Sequence, residues 1–377
     1  MFAESCLSYY NEAMKDFTTS YGRIVQRDSL EYMRDELEDE SIDLIFTSPP
    51  FALLRKKDYG NVEEDKYVAW FEDFAREFCR VLKPSGSLVI DIGGSWIPGQ
   101  PTRSLYHFEL LIMLCRKVSF HLAQEFYWWN PSKLPTPAEW VNVRRIRVKD
   151  AVNNIYWLSK TPWPKASNKR VLTPYSDSML DLLENGYQAK RRPSGHDISD
   201  KFQKDNGGAI PPNLIAIPNT ESNSSYLRYC KENNIDPHPA RFPSRLPEFF
   251  VRMLTDENDL VLDPFSGSCV TGEVCEALKR KWICCEIIPE YIEGAKGRFD
   301  TTQENGSENE PDHYKIFSSS VLWDSMGTGE DENLPADGGK SRPKNMSTGH
   351  KIGSTKQNTV RKIGQKPGDT KQPTLFD

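Results

Sequence analysis

The sequence predicts an α/β protein built on a mostly parallel sheet with helices on both faces. Three observations carry this. Apolar strand-like runs alternate with amphipathic helical runs over residues 1–120, and the same alternation resumes over 244–300. Two loops rich in proline, glycine and serine come directly after predicted strands, the place where open α/β sheets hold their ligands.

In order, 22–26 (GRIVQ) reads as a strand. Residues 29–37 read as a helix behind Asp28, a good N-cap. The apolar run 43–46 (DLIF) is a short buried strand. Over 67–82, Val68, Phe71, Phe74, Ala75, Phe78, Val81 and Leu82 recur at helical spacing. Pro84-Ser85-Gly86 is expected as a turn, 88–92 as a strand and 108–118 as a helix. The stretches 125–129 and 155–159 look strand-like within a region otherwise rich in Pro, Trp, Asn and basic residues. After it come a helix (245–254), a strand (260–262), a helix (270–280), a strand (282–286) and a helix (291–299). The chain thus divides into four regions: 1–120 as one half of the core, 121–240 as an inserted loop-rich recognition region, 241–300 as the other half, and 301–377 as a tail.

The tail lacks core-forming content. Residues 304–337 hold nine acids and one lysine, and 340–371 nine bases and one acid. Such blocks cannot bury enough apolar area to offset chain entropy, so disorder is expected there. Mean hydropathy is −0.63. No run approaches the roughly 18 apolar residues that span a bilayer, and the N-terminus lacks a basic start and an apolar signal core. None of the eight cysteines forms a CxxC pair, and no metal-ligand spacing is present. A reduced, cytoplasmic chain without a metal is the reading. The net charge of −6 is unevenly spread. Residues 121–240 carry 16 Lys+Arg against 12 Asp+Glu, while the rest of the first 300 carries 22 against 31. A basic middle between acidic flanks suits a polyanion-facing module as well as a solvated surface.

Thr47-Ser48-Pro49-Pro50-Phe51 comes after the strand 43–46. Its prolines cannot continue a ladder and stiffen the loop. The Ser48 hydroxyl and the backbone carbonyls remain as acceptors beside the Phe51 ring. Acceptors next to an aromatic plane suit a flat heterocycle with an exocyclic amine; a rigid turn is the alternative. Asp263-Pro264-Phe265-Ser266-Gly267-Ser268-Cys269 lies between a strand and a helix. Small residues there admit a ligand to the backbone, and the helix start offers N–H groups. It is neither GxGxxG nor a Walker loop, so a single carboxylate fits better than a pyrophosphate. Glu286 ends the next strand, 23 residues after Asp263, where an acid typically accepts from ribose hydroxyls.

TSPPF with DPFSGS much later in the chain resembles the amino-group DNA methyltransferases that use S-adenosylmethionine, in the β-arranged order with the catalytic motif first. The stretches TSPPFALLRKKDYGN, YWWNPSKLPTPAEWVN, RPSGHDI and HPARFPSRLPEFF are similar to the PvuII-type N4-cytosine modification methyltransferases. The resemblance covers about residues 20–300. It implies the methyltransferase fold with a seven-stranded sheet. It implies that Ser48, Pro49, Pro50 and Phe51 hold a flipped base, and that Asp263, Phe265, Gly267 and Ser268 form the cofactor loop. Glu286 becomes the ribose acid, Asp28 an acid on the adenine side, and His238 and Pro239 part of the segment closing over the methionine end. The family usually has Gly where this chain has Cys269; a left-handed backbone there would cost cysteine about 1 kcal/mol or more. Serine before Pro-Pro leans toward cytosine N4 over adenine N6. If the similarity extends to specificity, it implies a CAGCTG-like site and a place in a restriction-modification system.

With a base as substrate, extrusion from the duplex is required. Asp91, at a neighbouring strand end, is placed to orient Ser48 or to take the departing proton; the alternative is a helix N-cap or a surface acid. A C5-cytosine enzyme would need a cysteine nucleophile, and none lies in or near TSPPF. Arg144, Arg145, Arg147 and Lys149, then Lys190, Arg191 and Arg192, are candidate phosphate contacts, and His196 a candidate base reader. One of Trp128 and Trp129 belongs to the core and the other to the pocket. The terminal Gln372–Phe376 resembles a sliding-clamp peptide. Double-stranded DNA is the expected partner and a monomer the expected state. Alternatives are an N6-adenine methyltransferase and a DNA-binding regulator that keeps the fold without turnover.

Overall fold

The computed structural model describes residues 16–51, 64–186, 204–220 and 224–299. They fall within one compact unit, Met1–Thr328. Nine strands form one sheet in the order β1-β2-β9-β8-β3-β4-β6-β5-β7. The strands are β1 (Phe17–Thr18), β2 (Gly22–Gln26), β3 (Ile42–Thr47), β4 (Leu82–Ile92), β5 (His121–Trp129), β6 (Val152–Ser159), β7 (Leu214–Ala216), β8 (Leu260–Asp263) and β9 (Lys281–Glu286). The run β2, β9, β8, β3, β4 is parallel throughout, and β6 enters antiparallel to both β4 and β5. Seven strands form the body of the sheet. The two-residue β1 and three-residue β7 add an edge strand on each side, so the sheet exceeds the expected seven. Residues 121–240 are less separate than their composition suggests, because β5, β6 and β7 continue this same sheet.

Strand alternation divides the core. Ile45, Leu88, Ile90, Ile92 and Cys285 face one layer, with α1 (Ser29–Glu36), α2 (Glu64–Val81) and α3 (Tyr106–Arg116). Leu44, Phe46, Val89, Trp282 and Cys284 face the other, with α6 (Arg245–Leu254), α7 (Val270–Ala277) and α8 (Pro289–Ala295). Two further helices are α4 (Asp177–Asn185) and α5 (Ser225–Glu232). On α2, Tyr67, Phe71, Phe74, Phe78 and Val81 are all buried. Each large side chain contributes about 1.5–3 kcal/mol of burial, enough to fix the face that the apolar spacing predicted. Asp28 Oδ1 accepts from the Leu30 and Glu31 amides at 2.9 and 3.1 Å, capping α1 as expected. The Pro84-Ser85-Gly86 turn is instead an irregularity inside β4. There Ile42 pairs with Leu82 and Leu44 with Ser87, so the extra residues bulge without ending the strand. No described helix is long and apolar enough to cross a membrane. Residues 301–377, including Gln372–Phe376, lie outside the described residues, as do Lys190, Arg191, Arg192 and His196.

Candidate active site

The site grows from the end of β3. All six of its residues are buried, as a central parallel strand requires. Successive side chains of extended backbone point in opposite directions, and Thr47, the last residue of β3, and Ser48, the first after it, do so here. Thr47 Oγ1 donates to Asp263 Oδ1 of β8 at 2.9 Å. Ser48 Oγ donates to Asp91 Oδ2 of β4 at 3.1 Å. Because the Ser48 hydroxyl hydrogen points to Asp91, its lone pairs are left to accept. Asp91 also accepts from Asn153 Nδ2 of β6 at 3.1 Å. Burial pushes the Asp91 carboxyl up to about 6, against the hydrogen bonds from Asn153 and Ser48. Phe51 lies against the end of β4, where Gly93 makes room: a Cβ there would stand 2.6 Å from the ring Cε2.

The second loop is built on Asp263, which is 1% exposed. Its other oxygen accepts from Thr271 Oγ1 at 2.6 Å, and Oδ1 also takes the Phe265 amide at 3.2 Å. Burial raises this carboxyl to about 6 as well. Asp263 was expected to touch a ligand. Its oxygens are instead committed to the protein, and it ties the two loops together from beneath. Above it, Gly267 is left-handed (φ +52°) and packs under His238, whose ring Cε1 would stand 3.0 Å from a Cβ. Cys269 is also left-handed, at φ +59°, the conformation that disfavours a side chain. His238 is anchored by its amide, which donates to the Tyr226 hydroxyl at 2.7 Å. Glu286 Oε1 accepts from the Ile287 and Ile288 amides, each at 2.9 Å. Burial nonetheless raises its carboxyl to about 7.

One cavity of about 460 Å³ joins these parts. Ser48, Pro49, Pro50, Phe51 and Asp91 line it together with Asp28, His238, Phe265, Gly267, Ser268 and Glu286. Pro239 is exposed and does not line it; the segment reaches the cavity through His238, Ala240, Arg241 and Phe242.

The DNA methylase family matches residues 42–297, a stretch that contains both loops and every strand between them. The chain belongs to this family. It is 56% identical over 286 residues to the Type II methyltransferase M.PvuII of Proteus hauseri, covering 75% of this chain and 85% of that protein. It is 27% identical over 292 residues to the DNA adenine methyltransferase YhdJ of Escherichia coli (strain K12), covering 76% and 85%. Among solved structures it matches the PvuII DNA methyltransferase (cytosine-N4-specific) with a TM-score of 0.63 and 45% identity, over 84% of this chain and 95% of that one.

The methylase brings further side chains to the cavity that motif reading missed. Asn153 and Lys133 both line it. Burial lowers the Lys133 ammonium, against the pull of Asp91 and Asp150, and among the described residues no carboxylate lies within ion-pair distance of it. Trp128 serves both roles that were divided between two tryptophans. It is 6% exposed, donates Nε1–H to the Ile217 carbonyl at 2.9 Å, and lines the cavity.

The basic run of the methylase is not uniform. Arg147 was expected at phosphate. It is half-buried, donates to the Pro101 carbonyl at 2.6 Å and lies over the Trp96 ring at 4.2 Å. Lys149 donates to the Pro131 and Lys133 carbonyls. Arg147 thus ties its loop to the β4–α3 connection, and Lys149 braces its own loop while its side chain stays exposed. Arg144 pairs with Glu139 at 2.7 Å over the Trp140 ring. Arg145 is exposed and has no hydrogen-bond or ion-pair partner among the described residues.

Proposed function

We propose that this methylase moves a methyl group from S-adenosylmethionine to the exocyclic N4 of a cytosine extruded from double-stranded DNA, as the modification partner of a restriction-modification system. The observation that carries this is that Ser48 and Gly267 face one cavity, with the Ser48 hydroxyl donating its hydrogen bond to Asp91. The cofactor's demands fit the residues present. A diol needs acceptors, and Glu286 offers a carboxylate beside Asp28. A backbone at close approach is provided by Gly267, and apolar walls by Phe265, Trp70 and Phe74. When bound, S-adenosylmethionine supplies an electrophilic methyl group on a cationic sulfur.

The chain's own residues then handle the base. An aromatic amine is a poor nucleophile, because its lone pair is delocalised into the ring. Ser48 Oγ and the Pro49 carbonyl accept the amino hydrogens and favour a pyramidal nitrogen. Phe51, seated on Gly93, offers the stacking face. Pro49 and Pro50 keep the loop stiff and offer no competing N–H donors. Holding the amine in line contributes much of the acceleration. Asp91, with a carboxyl near neutrality, receives the departing proton through Ser48. Asn153 holds the carboxylate's position, and the charge of Lys133 favours its ionised form. Arg145 contacts phosphate.

The test is incubation with radiolabelled S-adenosylmethionine and mixed-sequence DNA, then nucleoside chromatography and mapping of labelled fragments. Labelled N4-methylcytosine at one short palindrome, a CAGCTG-like site, is the expected result. Labelled N6-methyladenine overturns the cytosine reading, and DNA binding without label favours a regulator.

A further inference from the structure

The excursion between β5 and β6, residues 130–151, borders the cavity through Asn130, Lys133 and Ala151. It is braced from within. Lys149 Nζ donates to the carbonyls of Pro131 and Lys133, both at 3.1 Å, and Asn142 Nδ2 to that of Pro135 at 3.1 Å. The Lys149 clip ties two chain positions together, since Leu134 comes directly after Lys133 and Val148 directly before Lys149. Both side chains face water: Leu134 is 75% and Val148 84% exposed. Large apolar side chains held on a braced lip lose little entropy on binding and gain from burial. Arg145, exposed and without an ion-pair partner among the described residues, lies on the same excursion. The matching surface is apolar at its centre and anionic at its edges. A base-pair stack between two phosphate backbones has that pattern.

We propose that Leu134 and Val148 form a wedge that enters the base stack of duplex DNA where the target base is withdrawn. The proposal rests on the reading of this methylase as one that extrudes its base. Withdrawal costs a few kcal/mol of stacking and pairing. An inserted apolar side chain offsets part of that by filling the gap and holding the flanking pairs apart. Leu134 is next in sequence to Lys133, which lines the cavity, so the wedge is carried on the segment that borders it.

The test compares the wild-type chain with L134S, V148S and the double variant in single-turnover methyl transfer. One duplex carries the mapped site fully paired; a second places an abasic position opposite the target base. Both residues are exposed, and unchanged melting midpoints confirm folding. The double variant is expected to lose roughly tenfold or more on the paired duplex and to come within about threefold of wild type on the other, where extrusion costs least. A wild-type rate on the paired duplex, or an equal loss on both, overturns the wedge alone. A wild-type chain that labels neither duplex overturns the function it rests on as well.

Discussion

Asp91 and Asp263 end the strands on either side of β3, and their surroundings are nearly matched. Each is buried, each carboxyl is raised to about 6 by that burial, and each accepts a hydroxyl from the same Thr47-Ser48 pair. They differ in what else is near. Asp263 has both oxygens closed off by Thr47, Thr271 and the Phe265 amide. Asp91 faces the cavity, with Asn153 and Ser48 as partners and Lys133 nearby. A raised carboxyl alone therefore does not mark chemistry; access to a ligand does.

Four experiments sharpen or break that contrast. The largest effect is expected for D91N, which keeps the shape but cannot accept a proton. Turnover should fall about 10²–10⁴-fold while cofactor affinity and the melting midpoint hold; unchanged turnover in single-turnover assays would remove the role given to Asp91. D263A should act through stability instead. It leaves two buried hydroxyls and an amide without their acceptor, at about 1–3 kcal/mol each, read by denaturant unfolding. If D263A cut the chemical step at full folding, the contrast would fail.

The third is pH. Both carboxyls hold their protons more tightly folded than unfolded, where the value is about 3.9. Their contribution to stability is thus fully present below about pH 4 and is lost as pH rises through about 6. Turnover should run the other way, because only ionised Asp91 can accept: kcat should climb through about pH 6. Cofactor affinity should climb through about pH 7 with Glu286. A kcat profile flat between about pH 5 and 8, the span covering the cited values, would contradict the assignment. The smallest effect belongs to C269G on the closed side. Relief of the left-handed residue, about 1 kcal/mol, is offset by glycine's chain entropy of about 0.5–1 kcal/mol and by lost thiol packing near Cys284. A melting shift equivalent to more than about 2 kcal/mol would mean that the thiol has a further role.

The local parts of this site were legible in the sequence. Two short loops, each after an apolar strand, announced themselves by their prolines and small residues, and Glu286 by its strand-end position. Helix α6 and strand β2 stand where periodicity put them. What escaped was non-local. Asn153 reaches Asp91 across 62 positions of chain because β6 runs antiparallel beside β4, with Asp91 opposite Ile155. No window of sequence carries that register. Arg147 and Lys149 looked like their neighbour Arg145, since a basic residue reads the same whether it meets phosphate or a backbone carbonyl of the protein. The edge strands β1 and β7 are too short for their alternation to be seen.

The division of labour between Thr47 and Ser48 rests on nothing more than which way each residue leaves β3. An indel of a single codon anywhere in Ile42–Thr47 would reverse that parity. Serine would then be turned inward to the structural knot and its neighbour outward to the base. The strand leading into Thr47 should therefore keep its length, and sequences of related enzymes should show no gap within it.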